Sequence, residues 1–387
     1  MLFGLALSII VSVEPALQKI ARDFSITKKG AHSLINYGLF GYAIGPLLAG
    51  PVGNLFGRKS TLFLGLFVAI IGLALKLFAY YQQFFFLFVL GHFISVFGGA
   101  ICLAVVYTII HDFYYFNEAR KVLSFVVAGF LLVPGVMTFL CGFITQKYHW
   151  IDTQYLLIAF CGVLYFCAIG HPETHQIVKP RKIHIGQILR SYGLTIKNKY
   201  FVCFSILVGF SISMLYLFIS EGPIISFNIL KLSPQQFGYF GLIPYIGGAV
   251  SLLITGKLSH RISVDRILLF SLICALSLSL IFLVLFLLNW ITIFILFFFS
   301  FLIVALAMPI NVSGVSIMHH YVHDRSNSSA MLVSVFIIIS MVFVYISETL
   351  RSIMGPTVYP FMLLVVSILL FINYRVSKVI TNTIYQK

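Results

Sequence analysis

Residues 291–317, ITIFILFFFSFLIVALAMPINVSGVSI, contain no charged side chain. A hydrocarbon core about 30 Å thick needs about 20 helical residues per crossing. Lipid offers backbone N–H and C=O groups no partners, so an isolated crossing has to be a helix. Eleven further stretches of the same kind lie on either side of it: 2–20, 33–53, 60–79, 84–107, 122–145, 153–169, 200–220, 236–258, 267–288, 328–350 and 357–376. The chain is 60% hydrophobic and 9% charged, with a mean hydropathy of +1.06, far more apolar sequence than a water-soluble core absorbs. The reading is an all-α polytopic membrane protein.

The net charge of +15 follows topology rather than nucleic acid. With the amino terminus inside, about two-thirds of the 25 Lys and Arg fall on the inner side, as the positive-inside rule requires. In this count Lys19, Arg22, Lys28, Lys29, Lys76, Lys147, Lys231 and Arg351 are outer charges. The basic surface suits contact with anionic membrane lipids, and no nucleic-acid partner is expected. All six cysteines (Cys102, Cys141, Cys161, Cys167, Cys203, Cys274) fall inside spans without a CxxC or a Cys/His cluster, so neither a metal nor a disulfide framework is expected. Met1 starts almost inside the first span with no basic leader, which does not read as a cleaved signal peptide.

One long polar interruption, 170–199, divides the spans six and six. The expected domains are a six-helix bundle at 1–169, a linker with an amphipathic helix at 170–199, and a second bundle at 200–387. Ile185, Ile188, Leu189, Leu194 and Ile196, interleaved with Arg190 and Lys197, suit a helix lying on the membrane surface. The halves echo each other: Gly41, Gly50 and Asn54 recur as Gly247, Gly256 and His260, and Glu14-Pro15 as Glu221-Gly222-Pro223. Two six-helix parallel repeats around a midplane cavity form a transporter architecture.

The loop after the second span, Gly50-Pro-Val-Gly-Asn54-Leu-Phe-Gly57-Arg58-Lys59, is similar to G-x-x-x-D-x-x-G-R-K, with Asn54 at the Asp position. Gly98-Gly-Ala100 resembles the end of R-F-x-Q-G-x-G-A, with His92 where that motif carries Arg. Asp112 and Glu118-Ala-Arg120 match the pattern after the fourth span, and Pro134-Gly135 with Gly142 a thin G-P-x-x-G-G. Pro172-Glu173-Thr174, Ser220 to Pro223 and Ser233-Pro-Gln-Gln-Phe-Gly238 complete a series covering essentially the whole chain. On these residues the chain resembles the major facilitator superfamily, and within it the proton-linked drug exporters of the Bcr/CflA type.

The resemblance implies a multi-pass transporter of a bacterial inner membrane, with both termini cytoplasmic. It would work by alternating access, expel small amphipathic compounds against protons, and need no cofactor beyond the proton gradient. It also implies that Gly50, Asn54, Gly57, Arg58, Lys59 and Asp112 form a gate, with Arg58 and Lys59 facing Asp112. A dedicated transporter of one metabolite, such as a siderophore or amino acid, and a non-transporting sensor on the same fold are the alternatives.

An ionisable group inside a membrane costs about 3 kcal/mol at a helix centre on insertion scales, so each needs a reason. Glu14 lies about two-thirds of the way through the first span, beside Pro15. It suits a proton site that loads on one side and releases on the other, or else it caps the helix end in interfacial water. His92 is either a neutral imidazole bonded to a neighbour or a proton relay. Glu221 and Glu348 read as interfacial charges, Glu348 pairing with Arg351 along one helix. The expected substrate cavity is lined by Asn36, Tyr37, Ser95, Tyr107, Ser213, Tyr216, Tyr245 and Asn311, where aromatic rings could hold lipophilic cations. His319, His320 and His323 read as a solvated loop. No catalytic arrangement or nucleotide-binding loop occurs, so an enzyme is not expected, and a monomer is.

Overall fold

The computed structural model describes residues 4–114, 116–170, 173, 185–258, 261–321 and 325–385, and they are almost wholly helical. The first span is broken into α1 (Leu5–Val11) and α2 (Leu17–Asp23) around a tight turn at Glu14–Ala16. Pro15 has no N–H for the Val11 carbonyl, and its ring crowds that carbonyl, so the α-helix stops there. The rest of the first half is α3 (Lys28–Phe56), α4 (Arg58–Tyr81), α5 (Phe85–Phe113), α6 (Phe116–Lys147) and α7 (Asp152–Ile169). The linker carries α8 (Ile185–Lys197). The second half is α9 (Lys199–Asn228), α10 (Pro234–Leu258), α11 (Val264–Leu287), α12 (Ile293–Tyr321), α13 (Arg325–Met354) and α14 (Val358–Tyr385). Among the described residues nine stretches are long and apolar enough to cross a membrane, and the last, Ser328–Val379, holds both α13 and α14. With α3 and the broken α1–α2, twelve crossings result.

The crossings alternate between a linker face, carrying α8 and the α3–α4 turn, and an opposite far face. α1 is buried along its whole length. On the far face, Trp150 packs among Phe24, Tyr80 and Phe88, and its indole N–H donates to Asp23 Oδ2 at 2.6 Å. Small residues set the closest helix approaches. A Cβ on Gly72 would lie 2.2 Å from the Ser95 backbone nitrogen, and one on Gly98 2.4 Å from that of Ala69, so α4 and α5 touch backbone to backbone. The halves meet where α13 packs on α3 and α10 on α6. In the second seam a Cβ on Gly142 would lie 2.6 Å from the Pro234 carbonyl oxygen. Cys102, Cys141, Cys161 and Cys203 are buried and unbridged; Cys167 is exposed.

The α3–α4 turn shows why a glycine stands at 57. Its φ is +89°, which L side chains resist, and a Cβ there would lie 2.5 Å from Glu173 Oε2. Glu173 accepts the first free N–H groups of α4, from Arg58 at 2.8 Å and Lys59 at 3.1 Å. A carboxylate at a helix N-terminus satisfies donors that otherwise lack partners and complements the helix dipole. Glu173→Ala is therefore expected to cost about 1–2 kcal/mol, read as a melting temperature about 2–8 °C lower in detergent. An unchanged melting temperature would mean the cap is idle.

Candidate functional site

Glu14 sits on the break between α1 and α2. It is fully buried, and neither carboxyl oxygen meets a hydrogen-bond donor among the described residues. The alternative of a carboxylate in interfacial water is thereby excluded. Nearly every buried polar group in a folded protein is paired, so this carboxyl stands apart from the packing around it. Cys141 on α6 lies within electrostatic reach of both Glu14 and Lys76.

Lys76 is no outer charge. It is fully buried on α4, with Nζ 3.3 Å from His92 Nδ1 and 5.1 Å from the centre of the Phe88 ring. The tautomer of His92 decides which of the two atoms donates, and the other ring nitrogen is Nε2. That atom faces Gly38 of α3, where a Cβ would approach it to 2.8 Å. Glu14, Cys141, Lys76 and His92 thus form one buried polar seam inside the first half. Moving Lys76 out of the outer count strengthens the charge asymmetry between the faces.

Beside this seam, where the halves meet, Tyr107 of α5, Tyr216 of α9 and Tyr245 of α10 come together. Tyr42 of α3, which sequence reasoning missed, completes the group. Its ring meets Tyr216 edge to face at 6.4 Å. Tyr107 and Tyr245 lie within electrostatic reach of Tyr216, and Tyr245 also of Glu14. All four are buried. Tyr42 shares the inward stripe of Ile35 and Leu39, whereas Tyr37 is 46% exposed on the outward stripe of Phe40 and Leu48. Tyr37 therefore leaves the cavity set.

Three other candidates are hydrogen-bonded within the helix packing. Ser95 donates to the His92 carbonyl at 2.9 Å against α4. Ser213 donates to the Gly209 carbonyl at 2.7 Å and touches Ser340 of α13. Asn36 gives its amide to Glu348 Oε2 at 2.7 Å. Asn311 is buried on α12.

On the linker face, Gly50 is buried and Gly57 makes the turn already described. Lys59 donates its ammonium to the Ile169 carbonyl at 2.7 Å. The side chains of Asn54 and Asp112 lie outside the described residues, as do those of His319, His320 and His323. The linker is strapped down where Tyr192 of α8 donates to the Leu47 carbonyl at 2.8 Å.

On the far face two expectations are corrected. Arg351 does not pair with Glu348 one turn away. It grips buried Glu221 of α9 through two contacts, at 2.9 and 2.7 Å, and Ser347 adds a third hydrogen bond. Glu348 reaches across to the first half, with Oε1 3.0 Å from His32 Nδ1 and Oε2 held by Asn36. His32 Nε2 lies 2.9 Å from the Ser220 carbonyl oxygen of α9. Clefts on either side of this bridge are lined by Gln18, Lys28, Lys29, Ile224 and Asn228. Among the described residues no group of three or more His, Cys, Asp or Glu gathers to hold a metal.

Residues 1–331 match the family model described as Major Facilitator Superfamily. The chain is 28% identical over 229 residues to a bicyclomycin resistance protein homolog of Haemophilus influenzae, covering 58% of this chain and 56% of that protein. It is 25% identical over 272 residues to the chloramphenicol resistance protein CraA of Acinetobacter baumannii, covering 70% and 64%. With multidrug resistance protein D of Escherichia coli the identity is 21%, covering 64% and 62%. These matches span less than two-thirds of each relative's length. In fold, the chain is similar to the proton:xylose symporter XylE, with a TM-score of 0.73 at 13% identity over 96% of this chain and 93% of that one. The fucose:proton symporter FucP of E. coli gives 0.71 at 14% identity over 97% and 98%. A twelve-crossing helical architecture, two packed halves and a family match over most of the chain lead to one conclusion: this chain belongs to the major facilitator superfamily.

Proposed function

We propose that this protein is a proton-coupled exporter of small amphipathic compounds, working as a monomer by alternating access. In this reading it lies in a bacterial inner membrane, with the linker face and both termini in the cytoplasm and lipids as its other partners. The observation that carries the reading is Glu14, a buried carboxyl without a donor among the described residues, beside a tyrosine cluster contributed by both halves. A proton on Glu14 and a cationic or polar substrate on the tyrosines would be alternatives: each changes the charge of one buried region, and each biases the two-state exchange of the halves. The resistance-related relatives support this substrate class. His92 with Lys76 gives the seam a basic neighbour, and this favours, as a second reading, a dedicated transporter of one anionic metabolite.

The test is reconstitution in liposomes with a pH-sensitive dye inside, an imposed proton gradient, and lipophilic cations and metabolites added one at a time. Proton release triggered by several unrelated cations supports the exporter. Release triggered by a single metabolite supports the second reading, and no release with any compound overturns proton coupling.

A further inference from the structure

Lys19, Arg22, Lys28 and Lys29 follow one another on the far face with a single acid, Asp23, among them. Two rules oppose that placement. With the far face outside, as put forward above, a short outer stretch is where lysine and arginine are least favoured. Lys28 and Lys29 also open α3, and a helix N-terminus repels cations.

The structure gathers these charges around one space. Lys19 and Arg22 stand one turn apart on α2, with Gln18 on the same face. Together with Lys28 and with Gln146 of α6 they line a cleft of about 380 Å³ that is closed on the other side by Phe227 of α9. That size is within the range of small-ligand sites, and no acidic side chain lines the cleft.

Nor are the charges cancelled from behind. Lys28 meets no carboxylate among the described residues. Lys19 donates to the Thr145 carbonyl of α6, a neutral acceptor that fixes the ammonium without cancelling its charge. Among the described residues Arg22 has only Asp23, through one contact at 3.9 Å, and Asp23 already accepts the Trp150 indole N–H. In the neighbouring cleft, Glu348 accepts from Asn36 and Arg351 is held by Glu221. A cleft lined by one sign of charge between low-dielectric walls concentrates ions of the opposite sign.

We propose that this far-face cleft binds a small soluble anion with two or more negative charges, of the carboxylate or phosphate kind, on Lys19, Arg22 and Lys28. The planar fork of Arg22 suits two oxygens of one such group, and the two ammonium groups suit a second. The amides of Gln18 and Gln146 add neutral donors. The proposal takes from the reading above only the outward orientation, not the proton coupling.

The experiment is calorimetric titration of citrate, a tricarboxylate, and of acetate into the full-length protein in nanodiscs of neutral lipid. Citrate is expected to bind with a Kd below about 1 mM, and acetate not to bind. Raising the salt from about 0.05 M to about 0.5 M is expected to weaken citrate at least about tenfold, because exposed charges are screened. Arg22→Gln and Lys28→Gln are each expected to weaken it at least about threefold, and the double variant at least about tenfold. Both side chains are exposed, so the fold is not at stake. Lys257→Gln, which removes one charge from the linker face, is expected to stay within about twofold. No citrate binding by the native protein, native-like binding in the double variant, or an equal loss in Lys257→Gln overturns the site. So does citrate binding abolished in discs of phosphatidylglycerol, which would assign the cleft to lipid headgroups. Citrate binding without triggered proton release supports the site while the exporter reading falls. Proton release without citrate binding overturns the site alone.

Discussion

Glu14→Gln is expected to reduce substrate-triggered proton movement at least about 100-fold, the lower end of what removing a proton-transfer group costs, while leaving expression and melting temperature near native. The substitution keeps the shape and removes only the ability to exchange a proton. Because neither oxygen of Glu14 meets a donor among the described residues, no hydrogen bond to them is lost. A functional collapse without a folding defect is the signature of a coupling residue. Proton release at the native rate in Glu14→Gln would remove it from the mechanism and leave His92 with Lys76 as the remaining buried pair.

Gly72→Leu is expected to yield no folded protein, and Gly72→Ala a melting temperature lower by about 6–12 °C. A Cβ at this position meets the backbone nitrogen and Cα of Ser95 at 2.2 and 2.6 Å. Neither is a flexible chain end that can swing away, so α4 and α5 must separate. Overpacking of this kind costs about 3 kcal/mol or more, and in a protein of this size each kcal/mol lowers the melting temperature by about 2–4 °C. Separation would also pull Lys76 from His92, since they lie on these same two helices. Thermal unfolding in detergent checks both variants; a native melting temperature for Gly72→Ala would place the two helices farther apart than the structure does.

The helices were legible in the sequence because membrane length and apolarity are properties of single segments. Gly57 was legible as part of a turn motif, though its partner was not: Glu173 stands more than a hundred residues away, and nothing local announces that it caps α4. Lys76 shows the opposite failure. Three residues from the end of the expected span, a lysine reads as an outer charge, and only the packing of α4 on α5 turns it inward to His92. Arg351 and Glu348 are ideally spaced for an intrahelical pair, yet Glu221 offers Arg351 a two-pronged partner and His32 draws Glu348 across the interface. His32 itself falls one residue before the expected span, where nothing local marks it as a contact between the halves. Tyr37 and Tyr42 are both tyrosines on α3, and only the helix's rotation about its axis tells lipid-facing from buried.

The Gly142 seam ties the histories of the two halves together. With a carbonyl oxygen of one helix almost touching the bare backbone of the other, neither surface can gain a methyl group unless the opposite one yields. Substitutions in α6 and α10 can then be absorbed only as matched pairs, so a half borrowed from a related protein would have to arrive with its own counterpart.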